Sequence, residues 1–377
     1  MVFGSFKKLA VLAALAVAGA TAQNAPYYNE HGILQVGAVE ALNITAPLGV
    51  NRVDYVSNPM ASYISVKFDN FDLPTGDVVI VRNPDSTEGH IYVGKGRGDL
   101  GAFASSPISG TTAIVEYYST GATTPSSHSA YQIAGYVRGF QSQMESVCGA
   151  ADQTKPAKCF TGTPYTKAQA VARLLIGGSS LCTGWLIGSQ GHVMTNQHCV
   201  ESAADAAQID IEFGAESASC STLCATSLGC KGTIAARSAK FIANSASIDY
   251  AVVQIASSAA STYGYLQFRA SGPVKGEKIY IPQHPAGWAK RIVNTVDGGA
   301  AATITATGAS NTGCGNNQVK YMADTQGGSS GSPVLSQTDN LVVALHHCGG
   351  CDNLAVDPRD VIKDLSAKGI TIANISK

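Results

Sequence analysis

Hydrophobic and polar positions alternate along the first third of the chain. Ile64, Val66 and Phe68 are interleaved with Ser65, Lys67 and Asp69, a period of two that predicts a strand with one face in a core. Pro74-Thr75-Gly76-Asp77 reads as a turn, and the apolar run Val78-Val79-Ile80-Val81 as a short buried strand. Residues 90–93, 113–118 and 131–137 continue the series, separated by stretches rich in Gly, Ser, Thr and Pro. Short strands with regular turns predict a β-sandwich over residues 23 to about 140.

Strand patterns also dominate the rest of the chain, at 170–176, 185–188, 209–213, 251–255, 278–282, 333–335 and 341–345. The end differs. Asp357 suits a helix N-cap and Pro358 a first helical position, while Val361, Ile362 and Leu365 share a face and Gly369 marks a stop. The expectation is an all-β chain in two parts, 23–140 and 145–377, closed by one helix.

Lys7 and Lys8 precede an apolar stretch at 9–20, and Ala20-Thr21-Ala22 offers a small-residue cleavage site, so residues 1–22 are expected to be a signal peptide. The stretch falls short of the ~20 residues that a membrane-spanning helix needs. The expected protein is extracellular and secreted, with no membrane partner. Export changes how the ten cysteines are read: in an oxidising compartment an even count argues for disulfides. None precedes Cys148, which supports the boundary between the two parts. Asn43 and Asn374 head glycosylation sequons. A formal net charge of −1 without a basic stripe argues against a nucleic-acid partner.

Three segments carry candidate chemistry. Gly328-Ser329-Ser330-Gly331-Ser332-Pro333 can hold a serine on a tight turn, with backbone N–H groups aimed at a reacting carbonyl. His198 ends an apolar strand pattern and is followed by Cys199, and a Cys182–Cys199 bridge would fix the loop that carries its ring. Asp249 precedes a buried strand, where a carboxylate needs a compensating partner such as an imidazole N–H. His346-His347-Cys348-Gly349-Gly350-Cys351 has the composition of a zinc site, but disulfides are the expected use in an exported chain, so no metal and no cofactor are expected. His192 and His284 read as loop or surface histidines, and Trp185 and Trp288 as packing residues.

The order His198, Asp249, Ser330 is that of the chymotrypsin group. Over residues 148–377 the sequence resembles the trypsin-like serine proteases of that family. Thr195-Asn196-Gln197-His198-Cys199 stands where the family has Thr-Ala-Ala-His-Cys, and the 328–333 segment where it has Gly-Asp-Ser-Gly-Gly-Pro. The Gly-x-Ser-Gly-Ser-Pro form and the stretch 281–290 are similar to the bacterial-type lysyl and glutamyl endopeptidases. The first part is loosely similar to CUB-like and other jelly-roll modules. The resemblance implies a chymotrypsin-like double β-barrel, a His198–Asp249–Ser330 triad, an oxyanion hole from the Gly328 and Ser330 N–H groups, and protein or peptide substrates. It further implies that Cys148 reaches Cys348 or Cys351, and that Cys159 reaches one of Cys220, Cys224 or Cys230. Activity is then expected to rise through about pH 6–7, as the histidine becomes a neutral base. Ser329 stands where trypsins carry an Asp that pairs with a newly cut N-terminus, so activation of the trypsinogen kind is not expected.

Specificity points two ways. Asp324 lies six residues before Ser330, where trypsins carry the acidic floor of the pocket for the residue preceding the cut, P1. Thr325 and His346 resemble the carboxylate-binding Thr and His of glutamyl endopeptidases. Two carboxylates in one desolvated pocket would repel, so Asp324 favours a basic P1. The sequence therefore reads as a secreted serine endopeptidase cutting after Lys or Arg. A glutamyl endopeptidase and a catalytically silent binding protein on the same fold are the alternatives.

Overall fold

The structure is a computed structural model that describes residues 27–29, 33–121, 129–140 and 147–377. The expected signal peptide, residues 1–22, lies outside the described residues.

Residues 37–139 form a sandwich of two antiparallel sheets. One is ordered Gly37–Pro47, Ser129–Gly139, Tyr63–Asp69, Phe103–Ala104, with Ile108–Ser109 also on Tyr63–Asp69. The other is ordered Arg52–Ser57, Thr112–Tyr118, Val78–Arg82, Gly89–Tyr92. Ile64, Val66 and Phe68 face Val79, Val81 and Val115 across the sandwich, as the period of two demands. Phe71, Phe103 and Tyr131 crowd around Phe68 at centroid distances of 5.2, 5.3 and 5.4 Å, and each such pair adds about 0.5–1.5 kcal/mol beyond its buried area.

The opposite face of Tyr63–Asp69 is buried over its first half. Ser65 is buried, and the Tyr63 hydroxyl donates to the carbonyl of Gly178 at 2.9 Å. That face packs on the second part of the chain, where Leu34, Val36, Tyr63 and Val137 meet Leu175 and Leu181. Beside them Arg97 donates to Asp210 Oδ1 at 3.0 Å and to the carbonyls of Ala104 and Arg237, with both members of the ion pair nearly dry. Tyr27–Tyr28 pairs with Leu34–Gln35, and Leu34–Gln35 pairs with Ser180 and Leu181, so these residues extend a sheet of the second part and the sandwich begins at Gly37.

The second part holds two curled sheets. The first runs Thr233–Ala236, Ile209–Phe213, Val171–Ile176, Ser180–Ile187, His192–Thr195, Tyr250–Gln254, Lys240–Ser245. The second runs Lys155–Pro156, Arg291–Val293, Ile279–Gln283, Pro333–Ser336, Val342–Cys348, Asn353–Val356, Gly315–Tyr321, Ile304–Asn311. Strands buried on both faces carry apolar runs, as Tyr250–Gln254 does over its first four residues, and are the ones the hydrophobic pattern reveals. The helix Pro358–Ala367 is capped by Asp357, whose carboxylate accepts from the Arg359 N–H at 2.9 Å, and it buries Val361 and Leu365. The fold is therefore mostly β, with few helices.

All ten cysteines are paired: Cys148–Cys351, Cys159–Cys220, Cys182–Cys199, Cys224–Cys230 and Cys314–Cys348. Cys348 and Cys351 therefore offer no thiolate to a metal. Such a bonding pattern belongs to an extracellular, secreted protein.

Candidate active site

The Gly328–Ser332 loop is pinned from below. The Ser330 carbonyl accepts from Thr183 N–H at 2.8 Å, and the Thr183 hydroxyl donates to the carbonyl of Gly328 at 2.8 Å. Gly331 N–H donates to the His346 carbonyl, and His346 N–H to that of Ser332, both at 2.9 Å. Gly331 has φ +90° and lies against the Thr183 carbonyl, where a Cβ would collide, so this position needs glycine. Ser329 points inward: its hydroxyl donates to Gln283 Oε1 at 2.5 Å, and Gln283 donates to the Asp324 carbonyl at 2.8 Å. A neutral hydrogen-bond chain thus supports the loop from the position where trypsins place an ion pair.

Ala286 N–H donates to the carbonyl of Gly327 at 2.7 Å. In a planar trans peptide the N–H of Gly328 must then point the opposite way. Among the described residues, neither the Gly328 nor the Ser330 N–H donates a hydrogen bond. Two free N–H groups flanking a serine are what a developing oxyanion requires.

His198 and Asp249 meet directly. His198 Nδ1 lies 2.7 Å from Asp249 Oδ2, and the His198 backbone N–H donates to Asp249 Oδ1 at 3.0 Å. Asp249 adopts φ +62°, a strained conformation for a non-glycine residue, held by its N–H on the Ser245 carbonyl and by Asn196 Nδ2 on its own carbonyl. Burial opposes ionisation of Asp249, but the hydrogen bonds from His198 and His347 outweigh it and hold the carboxyl well below the usual carboxylate range. His347 places Nδ1 3.0 Å from the same Oδ2. The sequence placed this ring only in a zinc-like run; it sits instead against the candidate acid. Ser330 Oγ and His198 are not hydrogen-bonded here, and catalytic contacts of that kind commonly tighten only around substrate.

Ser330 opens on a cleft of about 410 Å³ lined also by Thr325, Gly327, His346, Tyr28 and the Cys148–Cys351 disulfide. A second cleft, of about 450 Å³, runs past His198, Ile248 and Gly315, and His347 borders both. Burial lowers the His346 ring to about 3, so it is neutral. Its Nδ1 lies 2.6 Å from the buried Tyr321 hydroxyl. Among the described residues that hydroxyl makes no other hydrogen bond, so donating to Nδ1 satisfies it and leaves the ring proton on Nε2. The Thr325 hydroxyl donates to Asn353 Oδ1 at 3.0 Å. Tyr28, which no sequence pattern signalled, reaches the cleft on the Tyr27–Tyr28 strand, and burial together with the Gly327 N–H sets the state of its hydroxyl.

Asp324 does not line this cleft. Its carboxylate turns away and accepts from Cys148 N–H at 3.0 Å and from Gln153 N–H at 2.7 Å. Two backbone donors of the entering chain claim the carboxylate that the sequence placed at the pocket floor. Among the described residues, no acidic side chain lines the cleft. His192 and His284, expected in loops or at the surface, are both buried; His192 lies on the strand His192–Thr195, and His284 sits in the 284–288 loop with Nδ1 2.9 Å from the Trp288 carbonyl. Trp185 packs edge-on against Phe268 at 5.4 Å, and Trp288 lies under the Arg291 guanidinium.

The trypsin-like peptidase domain family matches residues 182–345, which span His198, Asp249 and Ser330. The chain is 40% identical over 338 residues to secreted RxLR effector protein 73 of Plasmopara viticola, covering 85% of this chain and 83% of that protein. This chain belongs to the trypsin-like peptidase family. Solved structures with some similarity to it include an HtrA-type protease with a tripeptide, at 17% identity and TM-score 0.40, covering 54% of this chain and 60% of that one. The chain thus spans less than two thirds of that protein. A Glu endopeptidase in complex with MPD matches at 21% identity and TM-score 0.41, over 58% of this chain and 97% of that one.

Proposed function

We propose that this trypsin-like peptidase is an active secreted endopeptidase that cuts after glutamate. The reading is supported by the hydrogen-bonded Asp249–His198 pair together with Ser330 on a loop with two free N–H groups. Ser330 Oγ attacks the scissile carbonyl, and His198 Nε2 takes its proton. Asp249 keeps the Nδ1–H tautomer and stabilises the imidazolium. The Gly328 and Ser330 N–H groups bind the oxyanion. His198 then protonates the leaving amine, and water hydrolyses the acyl-enzyme by the same route in reverse. Substrates are proteins or peptides, and the secreted relative fits release outside the cell.

The preference for glutamate comes from the cleft. A Lys or Arg side chain entering it meets no carboxylate, since Asp324 is held elsewhere. A carboxylate meets the neutral His346 Nε2–H, and the Tyr28 hydroxyl, which takes the Gly327 N–H as acceptor, keeps its proton to donate. Digestion of a peptide library by the purified protein, read by mass spectrometry, tests this. Cuts concentrated after Glu, and lowered on the order of 10⁴–10⁶ in kcat by Ser330→Ala, are expected. Cuts after Lys and Arg would overturn the specificity. A protein that neither cuts nor takes a fluorophosphonate label at Ser330 is a silent binding protein instead.

A further inference from the structure

The ring of His347 is met by acceptors at both ends. Nδ1 faces Asp249 Oδ2 at 3.0 Å, and Nε2 faces Gln318 Oε1 at 2.6 Å. Both acceptors are fixed. Asp249 is tied by His198 at Oδ2 and by a backbone N–H at Oδ1. The Gln318 amide is oriented by its own Nε2, which donates to the Asn316 carbonyl at 2.8 Å, so a flipped amide would set oxygen against oxygen. A neutral imidazole carries one N–H and one lone pair, and here one of its two contacts would be lone pair against lone pair. An imidazolium donates to both. The side chain is 6% exposed, so water does not readily replace either partner.

We propose that His347 is a positioning residue: a doubly protonated ring that clamps Asp249 Oδ2, the oxygen that His198 also meets, and, through its charge, favours the neutral form of His198. The proposal rests on the triad reading above. The titratable groups facing His347 are Asp249, His198 and the neighbouring His346. The strand Gly315–Tyr321 contributes the neutral Gln318, and the adjoining Cys314–Cys348 disulfide does not titrate. Asp249 thus serves two rings through one oxygen. The positive charge on His347 discourages a second positive charge on His198, which extends the range in which His198 acts as a base toward lower pH. The contact also braces a residue whose backbone is strained, so that the carboxylate stays turned to His198.

Two measurements test this. In full-length Ser330→Ala protein labelled with ¹⁵N-histidine, the His347 signals are assigned by their loss in Ser330→Ala/His347→Gln. Both ring nitrogens should carry protons at pH 7, and a proton-free nitrogen at His347 would overturn the proposal. In the active protein, His347→Ala should lower kcat by roughly tenfold with little change in KM. It should also move the acid limb of kcat/KM upward by about half a unit or more. His347→Gln, which restores an N–H donor without the charge, should recover part of kcat and leave the limb shifted. An acid limb unmoved in both variants would overturn it, as would a loss confined to thermal stability. The NMR arm needs no turnover, so failure of the triad reading, seen as an inactive parent protein, is told apart from failure of this one.

Discussion

Asp324→Asn separates a structural from a specificity role for this carboxylate. Asp324 is 2% exposed and accepts the N–H groups of Cys148 and Gln153, at the point where the chain enters the peptidase fold. Burial raises its carboxyl above the ordinary value, while these two donors act in the opposite sense. A hydrogen bond to a charged group contributes about 1.5–3 kcal/mol. Asparagine keeps the shape but offers one acceptor oxygen, and its NH₂ confronts the second backbone donor. One bond is weakened and the other lost, so unfolding stability should fall by about 2–4 kcal/mol. The Cys148–Cys351 disulfide holds the segment at one end, which localises the damage to residues 148–153. Because the carboxylate never reaches the cleft, the ratio of kcat/KM for matched P1-Glu and P1-Lys peptides should stay within about threefold of the parent. Denaturant unfolding and paired chromogenic peptides measure the two quantities. A selectivity change of tenfold or more with an unmoved unfolding midpoint would refute this placement of Asp324 and restore it as a pocket residue.

The same geometry sets further expectations. Arg97→Ala strands Asp210 in a dry interface between the sandwich and the peptidase part, and removing one member of such a pair costs about 3–5 kcal/mol; limited proteolysis should then release the sandwich faster than in the parent, and an unchanged digestion rate would contradict the clamp. Stability should decline as pH falls below about 6.5. Burial lowers the rings of His90 to about 4 and His346 to about 3, so the unfolded chain binds protons there that the folded chain does not. His90 alone removes about 3 kcal/mol by pH 4, and Asp249 and Glu216, held low in the fold, act in the same direction as they are protonated; a melting temperature flat from pH 7 to pH 4 would count against buried neutral rings. Tyr28→Ala should enlarge the cleft and raise kcat/KM for a P1-Phe peptide about tenfold relative to P1-Glu, and unchanged selectivity would show that Tyr28 lies outside the substrate path.

Periodicity along the chain determined the strands that have a reason to be periodic. Tyr63–Asp69, Val78–Arg82, Ile209–Phe213 and Tyr250–Gln254 are legible because a buried face must be apolar, and the helix Pro358–Ala367 because its cap and stop are local chemistry. Local motifs likewise marked Gly328-Ser329-Ser330-Gly331 and His198-Cys199 as chemically unusual. The hairpin Ile304–Asn311 and Gly315–Tyr321 left no such trace, since its largely exposed Thr, Gly and Asn side chains have no core to report. Side-chain direction and the partner of each polar group belonged to the tertiary structure alone. Asp324 and Thr325 are adjacent in the chain, yet the first turns to two backbone donors of the 148–153 segment and the second lines the cleft. The adjacent rings His346 and His347 meet a tyrosine hydroxyl and a carboxylate respectively, brought there by different strands. The reason is physical: hydrophobic burial is written along the chain with the period of each element, whereas a hydrogen bond depends on an angle and a distance to an atom that can lie 98 residues away, as Asp249 does from His347.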